Sequence, residues 1–494
     1  MKCKLICALI LVLSVFNMNA QLTTSPILSS HMVLQQGQKI PVWGTAAPGE
    51  QVRIILGKQS VKTQADIAGN WIVELEPMKA DKTSQQLIIK GEKSQIIYED
   101  ILVGEVWLCG GQSNMQYTMK LIPEFAPPAK GEDIAALELK KPANPMIRVF
   151  LSDRGHSWNS WQIANGKSLA DISAAGYFFG KEIQEQLDVP VGIISAALGG
   201  ARIETWTPVD AYKKSVLFAP QLKSSKGKID GIETSQWYNN LIAPLVPFAV
   251  KGFLWYQGEN NCAVADRQYA QKYQLMVNTW RELFHVPDAP FYSVILAPYV
   301  YSNKIHRGGT PLTAEELPFF REQQKKGTSM VSNSDYVVVS DLIDDIMDIH
   351  PPYKWEIGRR LACLALTKSY SKEGLIYSGP RLKEAKGDGK VIVLTFEHAA
   401  DGLKTRNGKR LDWFEIAGSD GVFRSAVADF KDKDQVVVSH PEIRQPTQVR
   451  LGWHETSVPN LMNSEGWPAA PFGAWKATQS NDNITISKTD KHNY

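Results

Sequence analysis

The sequence predicts an α/β fold, a parallel sheet flanked by helices, with an all-β module at each end. Three observations predict it. Between about residues 101 and 375, apolar runs of strand length alternate with longer amphipathic runs, the pattern of parallel β-α units. On either side, strand-sized pieces are separated by close turn signals. And several apolar runs of the middle segment end in small-residue turns that carry polar side chains.

The 494 residues exceed what one ordinary core accommodates. Residues 1–20 read as a signal peptide: Lys2 and Lys4, then the apolar stretch Leu5 to Phe16, then a small residue at Ala20. The stretch is short for a bilayer span and no later one is longer, so the expectation is an exported, periplasmic or extracellular chain with no membrane partner. Charged residues at 21% describe a globular chain, and a net charge of +3 argues against a nucleic-acid or polybasic membrane role. Of five cysteines, Cys3 and Cys7 lie in the leader. Cys109, Cys262 and Cys363 have neither disulfide nor zinc spacing and read as buried small hydrophobes.

Residues 21–100 form the first β-module. Val52, Ile54 and Leu56 alternate with Arg53 and Ile55, and Pro48-Gly49-Glu50 and Ala68-Gly69-Asn70 mark turns, as in a β-sandwich. In the middle segment, 101–375, Val103, Val106 and Leu108 are the last buried positions of a strand, and Gly110-Gly111 permits a sharp turn. Ile172 to Leu187 reads as a helix capped by Asp171. Val191 to Ala197 and Lys251 to Tyr256 read as buried strands, Tyr269 to Phe284 as a helix, Phe291 to Leu296 and Tyr336 to Ser340 as strands, and Pro352 to Leu366 as a helix. The last segment, 376–494, returns to β character, with a hairpin at Lys386-Gly387-Asp388-Gly389 and a frayed end beyond about 477.

Ser113 follows the first of these turns. The pattern differs from the G-x-S-x-G elbow, because Met115 stands where the second glycine belongs. His350 lies in a loop between a strand and a helix, and Pro351 biases it to extended geometry, which suits a projecting side chain. Asp348, two residues earlier in an extended segment, points the same way. No His, Asp and Glu set has metal-ligand spacing, so neither metal nor cofactor is expected.

Four stretches occur in order: Gly111-Gln112-Ser113-Asn114-Met115, Ala197 to Trp206, Trp255 to Asn261, and Asp348-Ile349-His350-Pro351. Together they resemble the blocks of the SGNH-type carbohydrate esterases, specifically the sialate O-acetylesterase family, over about Ile27 to Phe472. The resemblance implies an SGNH-like parallel sheet with jelly-roll-like β-sandwich modules at both ends. It implies an exported serine esterase that removes O-acetyl groups from a sugar, most directly sialic acid, through an acetyl-enzyme.

On that reading Ser113 is the nucleophile and His350 the base. The family places aspartate three residues before the histidine, where this chain has Met347. The orienting acceptor is therefore either the Asp348 side chain or a backbone carbonyl. Asp344 and Asp345 read as a solvated loop. The oxyanion donors are the N–H of Ser113, a glycine N–H from Gly199 or Gly200, and a side-chain amide from Asn260 or Asn261. Substrate contacts are expected from Gln112, Gln257, Glu259, Arg321 and Trp206, with Arg321 a partner for an acidic sugar carboxylate. Trp158, Trp161 and Trp237 are further stacking candidates, Trp255 reads as core, and Glu259 and Glu204 also suit a role bracing loops. Two rivals stand beside this reading: an acetyl esterase for xylan or xyloglucan, and a non-catalytic carbohydrate-binding protein. Oligomeric state is not legible.

Overall fold

A computed structural model describes residues 21–125, 127–152, 160–303 and 311–479. The leader and Trp158 lie outside the described residues.

The central sheet carries six strands: β1 (Gln95–Gly111), β2 (Asn144–Leu151), β3 (Val191–Ala197), β4 (Gly252–Tyr256), β5 (Phe291–Val294) and β6 (Ser334–Val337). Their order is β2-β3-β1-β4-β5-β6, all parallel, with Gln162–Ala164 added antiparallel to β2. From β1 the chain crosses to β2, returns to β3 between β2 and β1, and then passes to the other side of β1 through β4, β5 and β6. The end of β1 is therefore the topological switch point, where neighbouring crossovers diverge and leave a crevice. The strands read as continuous apolar runs because helices cover both faces. Every residue of β3 and β4 is buried.

Strand β1 also holds the first β-module to this sheet. Its beginning pairs antiparallel with Asp81–Lys90, Ile97 facing Ile88, while Glu105 to Gly111 pairs with β3. One strand thus crosses the boundary expected between residues 100 and 101. In Gln51–Leu56 the buried residues are Val52, Ile54 and Leu56, as their alternation predicts.

The site depends on five helices: α1 (Ser113–Gln116), α2 (Ala174–Leu187), α3 (Tyr269–Leu283), α4 (Glu316–Ser329) and α5 (Lys354–Tyr370). Helix α2 corrects the expected cap. Ser173, not Asp171, is its N-cap, accepting the Gly176 N–H at 3.1 Å. Asp171 instead ends the preceding helix and pairs with Lys120 at 2.6 Å. A serine hydroxyl satisfies the orphan first-turn donors as well as a carboxylate does, so sequence alone left the choice to position.

The C-terminal segment has its own apolar core, including Ile392, Leu394, Ile416 and Leu451. Its first hairpin turns at Gly389-Lys390, while Lys386, Gly387 and Asp388, expected in the turn, still pair in the strand. It docks on α4 through Lys325 Nζ, which donates to Pro471 O at 2.6 Å. The Glu455 carboxylate accepts the backbone N–H groups of Tyr301 and Ser302 at 2.6 and 2.8 Å. Thr478–Gln479 continues as a strand where fraying was expected. Among the described residues no helix is long and apolar enough to cross a membrane, and Cys109, Cys262 and Cys363 are buried free thiols.

Candidate active site

Three adjacent strands, β3, β1 and β4, end side by side, and each delivers a loop to the crevice. Two glycines make this possible. Gly111 has φ +142°, and a Cβ there would lie 2.2 Å from Tyr256 O. Gly258 has φ +152°, and a Cβ would lie 2.7 Å from the Phe320 ring. Only glycine combines that backbone with so close an approach.

Beyond Gly111 the chain enters α1, and Ser113 is its first residue. Ser113 Oγ lies 3.0 Å from His350 Nε2. On the other side of the imidazole, Asp348 Oδ1 is 3.4 Å from Nδ1. The same oxygen accepts the His350 backbone N–H at 2.9 Å. Burial and the nearby Lys354 ammonium push the His350 imidazole below its ordinary range, against the opposing pull of Asp348. The Tyr117 ring packs 5.3 Å from the imidazole.

The loop after β3 lies over the hydroxyl. A Cβ on Gly199 would sit 3.7 Å from Ser113 Cβ. The Gly199 N–H donates to Gln116 Oε1 at 2.7 Å. Asn260 Nδ2 donates to Gly200 O, so this amide also stands at the rim. Asn261 is committed elsewhere. It is buried, its Oδ1 accepts from Ile203 N at 3.1 Å and Gln257 Nε2 at 2.8 Å, and its Nδ2 donates to Glu204 and Asp266 at 3.1 and 2.8 Å. With every hydrogen-bonding position of its amide taken inside the protein, Asn261 is not available to an oxyanion; that is a correction to its candidacy.

The five expected substrate contacts are also corrected. Gln112, Gln257, Glu259, Arg321 and Trp206 are each 3% exposed or less, so none offers a surface to a sugar. Gln112 Oε1 accepts from Gln257 Nε2 at 3.1 Å and Asn260 N at 3.4 Å, joining two site loops. Trp206 packs edge-on against Trp255 at 5.9 Å. Arg321 Nε donates to Leu296 O at 2.9 Å, and burial pushes its guanidinium down to about 10. Trp161 is likewise core, and Trp237 is only 8% exposed. In each case burial keeps the side chain from presenting a surface to a sugar.

Glu204, Asp230 and Asp266 are, among the described residues, the carboxylates grouped closely enough to hold a metal ion. The Lys272 ammonium already sits among them, at 2.8 Å from both Glu204 and Asp266 and bonded to Asp230. Burial alone would raise the Glu204 carboxyl, but Lys272 and Arg202 hold it below the usual range. This network fixes the loop after β3 against α3.

Motif reading passed over Asn114, Lys354 and Lys272. Asn114 Nδ2 donates to Glu259 Oε1 at 2.5 Å and to Ile349 O at 3.0 Å, and its Oδ1 accepts from Lys354 Nζ. Asn114 had a signal, since it belongs to the motif around Ser113. Lys354 and Lys272 had none, because a lysine at a helix start or on a helix face is ordinarily solvated.

The geometry is that of a hydrolase, and comparison with known proteins makes the class specific: the chain is a carboxylic ester hydrolase. It belongs to the carbohydrate esterase family described as sialic acid-specific acetylesterase, whose model matches residues 103–366. It is 26% identical to the rat sialate O-acetylesterase over 434 residues, covering 75% of this chain and 78% of that one. The human sialate O-acetylesterase is 26% identical over 400 residues, covering 72% of each. A crystal structure of a carbohydrate acetylesterase from Xanthomonas citri is similar with a TM-score of 0.78 and 30% identity, over 92% of this chain and 99% of that one.

Proposed function

We propose that this protein removes O-acetyl groups from a sugar by a serine mechanism. Ser113 Oγ attacks the acetyl carbonyl while His350 Nε2 takes its proton. The tetrahedral oxyanion collapses, the sugar oxygen leaves with the proton returned by His350, and water repeats the sequence on the acetyl-enzyme. The observation that carries this reading is the 3.0 Å approach of Ser113 Oγ to His350 Nε2 at the switch point of the sheet. Asp348 orients the imidazole from the far side. The oxyanion donors are the Ser113 N–H, at the start of α1, the Gly200 N–H and Asn260 Nδ2, whereas the Gly199 N–H is taken by Gln116 Oε1.

The substrate proposed is an O-acetylated sialic acid, on the strength of the family and of the named mammalian relatives. Export before action on such a sugar follows from the leader-like residues 1–20. The deciding experiment is acetate release by the purified protein from acetylated sialic acid, acetylated xylan and acetylated xyloglucan, with Ser113→Ala as control. Preference for xylan or xyloglucan would replace the sialate assignment, and hydrolysis undiminished in Ser113→Ala would exclude the mechanism.

A further inference from the structure

We propose that Lys354 is a positioning residue for this reaction: its ammonium ties the His350 loop to the Ser113 helix and sets a positive charge behind the imidazole. The inference rests on the serine mechanism above.

Lys354 is wholly buried at the first position of α5. By the rules of stability it is badly placed, since a cation opposes the positive end of the helix dipole and its burial costs hydration. Among the described residues no carboxylate touches it. Its partners are Asn114 Oδ1 and the faces of Tyr117 and Tyr256, whose ring centroids lie 5.1 and 5.4 Å from Nζ. Asn114 passes the connection on. Its amide reaches Glu259 from the loop after β4 and Ile349 O, the carbonyl next to His350. One side chain beside the nucleophile thereby joins the loops after β1, β4 and β6, and Lys354 anchors it. A residue that breaks local rules without a stability gain points to the site it serves.

The charge acts on the imidazole. The groups facing His350 are Ser113, Asp348, Tyr117 and Lys354; those facing Lys354 are Asn114, Tyr117, Tyr256, Glu259 and Asp348. Within the set around His350, Lys354 opposes the proton on the ring and Asp348 favours it. Burial draws Lys354 itself down to about 7 and raises Glu259 to about 7, so the ammonium carries its charge on the acid side, where His350 titrates.

The test uses the full-length protein with Lys354→Met, which removes charge and donor, and Lys354→Gln, which removes charge but keeps a donor for Asn114. His350 is titrated by NMR with ring-labelled histidine, its resonance identified by its loss in His350→Asn, and kcat/KM is followed against pH in parallel. Either variant should move the His350 midpoint, and with it the acid limb of kcat/KM, upward by about one pH unit. Lys354→Gln should retain more of kcat than Lys354→Met, with KM nearly constant in both. A His350 midpoint unmoved in a folded variant overturns the inference, whatever the loss of rate. Because the titration needs no turnover, failure here is distinct from hydrolysis persisting in Ser113→Ala.

Discussion

Asp348 Oδ1 lies 3.4 Å from His350 Nδ1 and 2.9 Å from the His350 backbone nitrogen. One carboxylate oxygen therefore both faces the imidazole and holds the backbone of the residue that carries it. The spacing of two residues suffices because the segment turns back on itself through this bond. Asp348→Ala should lower kcat by about 10²- to 10⁴-fold with KM little changed, read from steady-state kinetics. A loss below about threefold would assign the orienting role to another acceptor.

The second prediction concerns pH. Hydrolysis needs the neutral imidazole. Burial and Lys354 lower the His350 proton affinity, so the neutral form persists further into acid than for a free histidine. The activity should rise with pH through a midpoint below about 6.5. A pH profile of kcat/KM checks it, and a midpoint above 7 contradicts it.

Asn260 and Asn261 separate by experiment as they do in space. Asn260→Ala should lower kcat by about 10- to 10³-fold and leave thermal stability unchanged. Asn261→Ala strips partners from Glu204, Asp266, Gln257 and the Ile203 N–H, and should cost about 2–4 kcal/mol in chemical denaturation.

Lys272→Met leaves the buried carboxyls of Glu204 and Asp266 together with Asp230, with Arg202 on Glu204 as the remaining internal cation. It should destabilise the protein by about 3–5 kcal/mol at neutral pH. The sign of the pH dependence is fixed by the shifts. Glu204 is held below 4.5 and Lys272 above 10.5 in the folded chain. The wild-type network is thus at full strength between those values, lost as pH falls through the folded Glu204 value or rises through the folded Lys272 value.

Trp206→Ala should lose stability by about 3–5 kcal/mol, since the indole fills core against Trp255. At a temperature where the variant remains folded, its KM for a soluble acetylated sugar should match wild type. A raised KM would return Trp206 to the substrate surface.

Strand and helix identities were legible in the chain because period-two and continuous apolar runs survive in any context that buries them. Val52, Ile54 and Leu56 face inward as their alternation requires, and Val191 to Ala197 is buried throughout. Ser113, His350 and the glycine loop sat at a strand end, in a loop and in a turn, but it was the resemblance of four ordered motifs to a known family, and not local chemistry alone, that singled them out. Tertiary structure alone decided which polar neighbours of these residues face the crevice. Gln112, Gln257, Glu259, Asn261 and Arg321 carry the same side chains whether they bind substrate or brace a loop. The difference is the direction of a side chain relative to partners tens or hundreds of residues away, as Arg321 shows by spending its Nε on Leu296 O. For the same reason a lysine that begins a helix revealed nothing until the fold closed over it, since burial and charge opposition are properties of surroundings and not of the residue.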